Sequence, residues 1–246
     1  MTDPQSSTPV VVPPAGSETD PLVALRGGLV VSCQAYPGEP LRDPRTMTQV
    51  ALAAVEGGAV GIRVQGIADI EHVTHAFAEL GVTVPVTGLW KDGADGVFIT
   101  PTLRHAIAVA RAGATIVAID GTRRPRPDGL SLADTVAGLR EHSSVLVMAD
   151  CGSLDDALAA LDSGVDVVGT TLSGYTGERP RTDGPDLELL AELVDRLDLP
   201  VIAEGRVHSP AQARSALDAG AWAVVVGTAI THPTSITGWF VDALTR

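Results

Sequence analysis

From Arg26 onward, short apolar runs alternate with stretches of helical spacing, about eight times. Each run is continuously apolar and ends in a polar residue or a glycine. Continuous rather than alternating apolar runs are typical of parallel strands that are covered by helices on both faces. The predicted strands are residues 29–34, 59–64, 84–91, 115–120, 145–150, 165–170, 200–204 and 221–227.

The stretches between these runs carry helix signals. Several end on a glycine just before the next run, where a helix terminus needs a left-handed residue: Gly58, Gly113, Gly164 and Gly220. Helix N-caps are predicted at Asp69, Ser131, Ser153 and Ser209. Eight such units predict a single-domain (β/α)8 barrel over residues 22–246. A doubly wound open sheet is the alternative, which the lack of a glycine-rich fingerprint after the first strand disfavours.

The composition changes this picture only at the ends and in the expected partners. Residues 1–21 are rich in proline, serine, threonine and acid, and predict a disordered tail. The formal net charge of −13 argues against a nucleic-acid partner. No apolar run approaches the ~20 residues of a membrane span, and no export signal is apparent, so we expect no membrane partner and a cytoplasmic location. A monomer and a homodimer both stay open.

Neither cysteines nor histidines are spaced as metal ligands. Cys33 and Cys151 lie far apart and are predicted to be small buried apolar residues. The six histidines are scattered, and His72 and His75, which share one helix face, are predicted to be at the surface. The sequence therefore predicts no metal site.

Seven of the eight predicted strands are closed by a polar residue and the eighth by a glycine, at the end of a barrel where active sites lie. They are Gln34, Arg63, Lys91, Asp120, Asp150, Thr170 or Thr171, Glu204 and Gly227. Charges that converge on one mouth are costly to desolvate. The set therefore predicts a functional site.

Lys91 is the only lysine in the chain. A lysine kept among arginines at a strand end indicates a need for an amine that can lose its proton. Burial and a neighbouring cation such as Arg63 would lower its pKa, so that it acts as a general base. A Schiff base on the same amine is equally open.

The loops after the last three strands suggest a ligand. Gly205 and Arg206 follow the seventh strand, and Gly227 and Thr228 follow the eighth, where such barrels commonly bind phosphate. The loop after the sixth strand carries hydroxyl groups that suit a sugar: Thr171, Ser173 and Tyr175. The one dense basic cluster, residues 123–129, follows the fourth strand. Two interpretations stay open: its Asp128 presents a carboxylate or begins a turn, or the segment is a solvated connection.

Seven segments match a known family in order: residues 32–40, 61–63, 98–102, 124–129, 148–151, 170–176 and 202–206. Among them are Ser-Cys-Gln-Ala at 32–35 and Ala-Glu-Gly-Arg at 203–206. They resemble the N-acetylmannosamine-6-phosphate 2-epimerases, and the resemblance runs from Arg26 to the C-terminus. It implies a cofactor-independent isomerase that interconverts N-acetylmannosamine 6-phosphate and N-acetylglucosamine 6-phosphate in amino-sugar and sialic acid catabolism.

The resemblance also implies roles for single residues. Lys91 would remove the C2 proton, and Glu204 would be a second acid–base or ring-opening group. Gln34, Arg63 and Asp150 would hold the sugar and its acetamido group. No nicotinamide or metal is implied, and the small-molecule partner would be a sugar phosphate.

Two positions depart from the family pattern. His232 stands where the family usually has arginine, which would make a permanent bidentate phosphate contact, whereas histidine is only partly charged near neutrality. We keep His232 as a predicted phosphate contact and expect phosphate affinity or its pH dependence to differ. Trp90 replaces a smaller residue and is expected to reshape the pocket. Two other classes stay open: a Schiff-base aldolase or synthase that uses Lys91, and a non-catalytic sugar-phosphate binder.

Overall fold

The computed structural model describes residues 20–245, and its eight parallel strands close into a barrel in chain order. The prediction of a (β/α)8 barrel is therefore confirmed. Each strand lies within one residue of its predicted run. The strands are β1 Leu29–Cys33, β2 Gly61–Gln65, β3 Val86–Leu89, β4 Ile116–Asp120, β5 Leu146–Asp150, β6 Val167–Gly169, β7 Val201–Glu204 and β8 Ala223–Val226.

One helix precedes β1, at least one helix follows every strand, and the helices between the strands form the outer layer. The helices are α1 Pro21–Leu25, α2 Pro44–Glu56, α3 Ile67–Leu80, α4 Leu103–Arg111, α5 Leu132–His142, α6 Leu154–Asp162, α7 Leu187–Arg196, α8 Pro210–Asp218, α9 Thr228–Thr231 and α10 Pro233–Leu244. α10 buries none of its side chains, and its exposed apolar residues are Trp239, Phe240, Val241 and Leu244. Within residues 20–245, no helix is both long enough and apolar enough to cross a membrane.

Successive residues of each strand face alternately into the barrel and out toward the helices. On β5, Met148 belongs to the inner apolar cluster, whereas Val147 and Ala149 belong to the outer one. The same alternation points Asp150 inward one residue later. The polar residues that close the strands therefore share one end of the barrel interior.

The helix ends follow the predicted chemistry with one exception. The predicted terminal glycines all have positive φ, between 78° and 102°, and three of the predicted caps accept a backbone hydrogen bond: Ser131, Ser153 and Ser209. The cap predicted at Asp69 is wrong, because Gly66 precedes α3. Asp69 is instead buried and pairs with Arg42, with 2.6 Å between Nη1 and Oδ2.

The predicted tail, residues 1–21, lies outside the described residues except for its last two. Asp20 accepts a hydrogen bond from the Leu22 backbone N–H at 2.9 Å, and Pro21 begins α1. The Trp222 indole N–H donates to the Leu22 carbonyl at 2.6 Å. α1 packs Leu22 and Leu25 into the inner apolar cluster and therefore closes the end of the barrel opposite the carboxyl ends of the strands.

Both cysteines are buried, as predicted. Neither Cys33 nor Cys151 has measurable exposure. Burial raises the pKa of each thiol above its ordinary value. His72 and His75 lie at the surface, also as predicted.

Gly88 on β3 is required by close packing against the helical layer. A Cβ at this position would lie 2.7 Å from the Ala114 Cβ and 2.8 Å from Val109 Cγ1. We expect Gly88→Ala to lower the free energy of unfolding by about 1–3 kcal/mol, as overpacking does. Urea unfolding measures this change.

Gly238→Ala is the matched control, since a Cβ there meets nothing within 4 Å and the residue lies inside α10. This change should leave stability unaltered or raise it by up to about 1 kcal/mol through helix propensity. Equal urea midpoints for Gly88→Ala and the wild type would contradict the packing argument.

Candidate active site

A cavity of about 460 Å³ opens at the carboxyl ends of the strands. All but three of the predicted site residues line it. Those that do are Gln34, Lys91, Thr171, Tyr175, Glu204, Gly205, Arg206, Gly227, Thr228 and His232. The exceptions are Arg63, Asp150 and Ser173.

Arg63 and Asp150 lie beneath the cavity and do not line it. Their guanidinium and carboxylate pair in a bidentate manner, at 2.6 Å from Nη2 to Oδ2 and 3.2 Å from Nη1 to Oδ1. The two side chains are only 2% and 0% exposed. Arg63 Nη1 also lies 3.2 Å from Glu204 Oε2. The buried cation thus joins a structural carboxylate to one that faces the cavity.

Among the carboxyl groups of residues 20–245, Glu204 has the pKa that departs most from its ordinary value. Burial raises the pKa of Glu204 to about 7, with a further contribution from Asp150, while Arg63 opposes the rise. The Thr171 hydroxyl lies 2.7 Å from Asp150 Oδ1 and 3.2 Å from Glu204 Oε2. Glu204 can therefore both hold and release a proton near neutrality, as a general acid or base requires.

Lys91 approaches the cavity from the end of β3. Its Nζ donates to Gln34 Oε1 at 2.8 Å, and the Gln34 amide is itself oriented by a 2.7 Å bond from Nε2 to Ser32 Oγ. Burial lowers the pKa of Lys91, and the positive charge of Arg63 lowers it further. Both causes agree with those expected from the sequence. They favour the neutral amine, which is the form that can accept a proton.

The raised pKa of Glu204 and the lowered pKa of Lys91 predict a bell-shaped pH profile of kcat/KM. Below about pH 7 both groups are protonated, and the Lys91 ammonium cannot accept a proton. Above the pKa of Lys91 both have lost their protons, and Glu204 has none to donate. We therefore expect an acid limb near pH 7 and an alkaline limb below pH 10.5.

Glu204→Gln tests the assignment of the acid limb. We expect this variant to lose the limb near pH 7 and to gain activity steadily as pH rises through the pKa of Lys91, at a rate lower by about 10²-fold. If the acid limb came from the substrate phosphate, whose second pKa is about 6, it would appear in both the wild type and Glu204→Gln. An unchanged bell in Glu204→Gln would exclude Glu204 as the group that sets the acid limb.

The loop after β7 carries unusual backbone geometry. Gly205 and Arg206 have φ of 108° and 55°, the second in a left-handed conformation that is rare for residues other than glycine. The Arg206 guanidinium donates to backbone and side-chain oxygens of the loop after β6, which are Ser173 O, Thr182 Oγ1 and Gly184 O. Its side chain therefore joins two loops.

Two backbone N–H groups of cavity-lining residues after β7 and β8 have no protein acceptor in the described part of the chain. No acceptor within residues 20–245 hydrogen-bonds to the backbone N–H of Arg206 or of Thr228. Both residues line the cavity. Unpaired backbone N–H groups next to glycines are suited to an anion.

The loop after β6 places its two other predicted residues differently. Ser173 is buried, and its hydroxyl donates to Asp186 Oδ2 at 2.6 Å, so it holds the loop and does not face the cavity. Tyr175 lines the cavity and is exposed at its edge. Its ring centroid lies 5.2 Å from the guanidinium carbon of Arg181 and 5.4 Å from that of Arg206.

His232 lines the cavity, but protein groups already contact both of its ring nitrogens. Nε2 lies 2.5 Å from Glu39 Oε1, and Nδ1 lies 2.7 Å from Ser235 Oγ. Trp90 does not line the cavity. Its ring packs against His105, with the ring centroids 4.4 Å apart, so the indole is not part of the cavity wall.

Asp120 and the basic cluster after β4 lie outside the cavity. Asp120 is buried, and its carboxylate accepts from Arg124 Nη2 at 2.7 Å and from the Thr122 hydroxyl at 2.6 Å. The Arg126 guanidinium donates to backbone carbonyls, and Arg123 pairs with the carboxylates of Asp155, Asp156 and Glu178. The expectation that Asp120 joins the charged residues at the mouth is therefore wrong, because Arg124 of the basic cluster pairs with its carboxylate.

Several cavity residues were not predicted from the sequence. Tyr36 and His208 lie in loops directly after β1 and β7, and Phe98, Ile99 and Leu172 supply apolar surface. Position after a strand end was the only signal for the first two. The apolar residues could not be told from core residues by pattern alone. Within residues 20–245, no three His, Cys, Asp or Glu side chains are grouped to hold a metal ion.

A closed (β/α)8 barrel with a half-buried lysine and a glutamate of raised pKa at its mouth defines a barrel enzyme equipped for acid–base chemistry. Residues 47–246 match the model of a family described as "Putative N-acetylmannosamine-6-phosphate epimerase". The chain belongs to this family, as its sequence motifs indicated.

Relatives described as "Putative N-acetylmannosamine-6-phosphate 2-epimerase" match almost the whole chain. One from Cutibacterium acnes is 62% identical over 229 residues, covering 92% of this chain and 98% of the relative. Another from Caldanaerobacter subterraneus is 44% identical over 227 residues, covering 91% and 94%.

Solved structures show the same architecture. The N-acetylmannosamine-6-phosphate 2-epimerase from Clostridium perfringens superposes with a TM-score of 0.86 at 37% identity, covering 94% of this chain and 100% of that one. Thiamine phosphate pyrophosphorylase from Pyrococcus furiosus, with a TM-score of 0.58 and 20% identity over 86% and 90% of the two chains, shares the fold alone.

Proposed function

We propose that this enzyme interconverts N-acetylmannosamine 6-phosphate and N-acetylglucosamine 6-phosphate by removing and returning the proton at C2, in the catabolism of amino sugars and sialic acid. The observation that carries the proposal is that Lys91 and Glu204 line one cavity above the charge of Arg63. One group favours the neutral base, and the other holds a proton near neutrality. Epimerisation at C2 needs a group that removes a proton and a group that returns one.

Ring opening comes first, because the C2 proton is acidic only beside the aldehyde of the open-chain sugar. Opening transfers a proton to the ring oxygen and removes one from the C1 hydroxyl. We assign this transfer to Glu204, whose pKa near 7 suits both directions. Thr171, within hydrogen-bonding distance of Glu204, orients its carboxyl group.

Lys91 then removes the C2 proton as a neutral amine, which leaves an enolate whose negative charge lies at the former aldehyde oxygen. The Lys91 ammonium formed in this step and the buried Arg63 guanidinium stabilise that charge electrostatically. Return of a proton to the opposite face gives the epimer. Glu204 and a substrate hydroxyl are the two donors open for this step.

The sugar and its phosphate occupy separate parts of the cavity in this proposal. We assign three lining residues to the sugar: Gln34, which contacts Lys91, Thr171, which contacts Glu204, and Tyr175. Arg63 and Asp150 act from beneath the cavity. The backbone N–H groups of Arg206 and Thr228 receive the phosphate, beside Gly205 and Gly227.

Proton NMR of N-acetylmannosamine 6-phosphate with the enzyme in deuterated water tests the function. We expect the C2–H signal to disappear and the signals of the glucosamine epimer to appear, with deuterium at C2. Borohydride added during turnover should trap no covalent adduct. A C2–H signal that persists would overturn the epimerase proposal, and a trapped adduct on Lys91 would favour Schiff-base chemistry.

We also propose a cytoplasmic location and a homodimer. A phosphorylated sugar carries a charge that keeps it inside the cell, where the enzyme must meet it. The exposed apolar residues of α10, among them Phe240 and Leu244, form a surface suited to a second copy. Sedimentation velocity should give about twice the chain mass of 25.3 kDa, and a monomer would overturn the dimer.

A further inference from the structure

The loop between β1 and α2, residues 34–43, forms one wall of the cavity and carries Tyr36. The centroid of the Tyr36 ring lies 5.3 Å from Lys91 Nζ. The amine therefore has two close neighbours, this ring and the Gln34 amide oxygen, which is 2.8 Å away. Lysine has a flexible four-carbon side chain, so two such neighbours limit the directions in which its amine points.

The far end of this loop is fixed independently of the cavity. Arg42 pairs with the buried Asp69, and Asp43 caps the first turn of α2 by accepting from the Thr46 backbone N–H at 3.0 Å. The attachment of the middle of the loop, around Tyr36, depends on other residues.

Glu39 and His232 hold the middle of the loop. One Glu39 carboxylate oxygen accepts from the Tyr36 backbone N–H at 2.7 Å, and the other lies 2.5 Å from His232 Nε2. The Tyr36 and His232 rings meet edge to face, with centroids 5.9 Å apart. His232 is in turn anchored by Ser235 at the start of α10. A continuous chain of contacts thus runs from α10 to the amine of Lys91.

The same contacts occupy His232. Both ring nitrogens are within hydrogen-bonding distance of protein groups, so a phosphate contact would require one of these bonds to break. The Tyr36 backbone N–H and His232 both lower the pKa of Glu39, which keeps its carboxylate ionised as the acceptor of these bonds.

We propose that Glu39 and His232 are positioning residues that hold Tyr36 against the Lys91 amine, and that His232 affects the reaction through this contact and not through the substrate phosphate. The proposal rests on the proposed role of Lys91 as the base. Its physical reason is orientation: a base that points away from C2 loses rate, while the affinity for substrate is unaffected.

The Tyr36 ring is tested first. We expect Tyr36→Ala to lower kcat by about three- to thirtyfold, the range of a cation–ring contact, with KM unchanged within twofold. Tyr36→Phe keeps the ring and should recover most of the wild-type kcat. Equal losses in both variants, or a loss confined to KM, would overturn the proposal.

The two positioning residues are tested by a double-mutant cycle. Glu39→Ala and His232→Ala should each lower kcat to a similar extent, and the double variant should be no slower than the slower single variant, because both remove the same hold on the loop. If His232 contacted the phosphate, His232→Ala would raise KM and weaken inhibition by inorganic phosphate. The losses of the two single variants would then multiply in the double variant. That result would overturn the proposal.

Glu178→Ala is the matched control, since it breaks a glutamate ion pair, to Arg123 at 2.9 Å, outside the cavity. This variant should keep the wild-type kcat and KM.

Hydrogen exchange supplies a readout that does not depend on activity. We expect the backbone amides of residues 35–43 to exchange faster in Glu39→Ala and His232→Ala than in the wild type, while those of the barrel strands stay protected. Unchanged exchange of the loop in both variants would overturn the hold. A wild-type enzyme that leaves C2–H in place would overturn only the proposed function. The exchange of the loop amides would still test whether Glu39 and His232 fix the β1–α2 loop.

Discussion

Replacing Lys91 by methionine is expected to lower the rate of C2–H exchange by about 10²–10⁴-fold, the contribution of a positioned general base. Methionine has a similar length and no proton acceptor of comparable strength. The Gln34 oxygen that accepts from Lys91 Nζ lies at the cavity wall, where water can replace the lost donor. The variant should therefore fold and bind substrate. Deuterium incorporation at C2, followed by NMR, measures the loss.

Lys91→Arg separates the charge of the side chain from its basicity. Arginine keeps the cation near Glu204 but stays protonated throughout the working pH range, so it cannot accept the C2 proton. We expect Lys91→Arg to be as inactive as Lys91→Met at every pH tested. Activity in Lys91→Arg within tenfold of the wild type would exclude Lys91 as the base and leave it only an electrostatic role.

Arg63→Met is expected to have the largest effect on stability. It removes the partner of Asp150, whose side chain is fully buried, and the nearest cation to Glu204. Breaking a buried ion pair from one side leaves an uncompensated charge and costs about 3–5 kcal/mol. The free energy of unfolding, measured in urea, should fall by this amount.

Two variants check that the cause is the unpaired carboxylate. Adding Asp150→Asn to Arg63→Met removes the uncompensated charge with little change of volume, so part of the lost stability should return. Arg140→Met breaks a more exposed pair, to Asp166, and should cost only about 0–1 kcal/mol. Similar losses in Arg63→Met and Arg140→Met would contradict the buried-pair argument.

The sequence predicted the barrel because its determinants are local. Eight apolar runs, the glycines that end helices and the serine caps each act within a few residues, and the structure places each of them as expected. The alternation of side chains along a strand then places the last inward residue of each run at the mouth. Lys91, Gln34 and Glu204 were found in this way.

The sequence could not predict how far below the cavity each polar residue lies, or which side chain it pairs with. Asp120 and Asp150 are register partners on β4 and β5, and both point inward. Asp150 pairs with Arg63 beneath the cavity, whereas Asp120 is taken by Arg124 from its own loop. Which carboxylate serves the site depends on the cations that the loops bring near, and a strand pattern does not specify this.

What the sequence alone determined was the fold, the residues at its catalytic end and the lysine suited to proton transfer. The tertiary structure decided which of those residues face the cavity, which lie under it, and which are held by other side chains. Glu39 and His232 are 193 residues apart and meet only because the closed barrel brings the β1 loop beside the segment after β8. Contacts of this kind depend on closure of the whole chain, whereas helices and strands depend on neighbours.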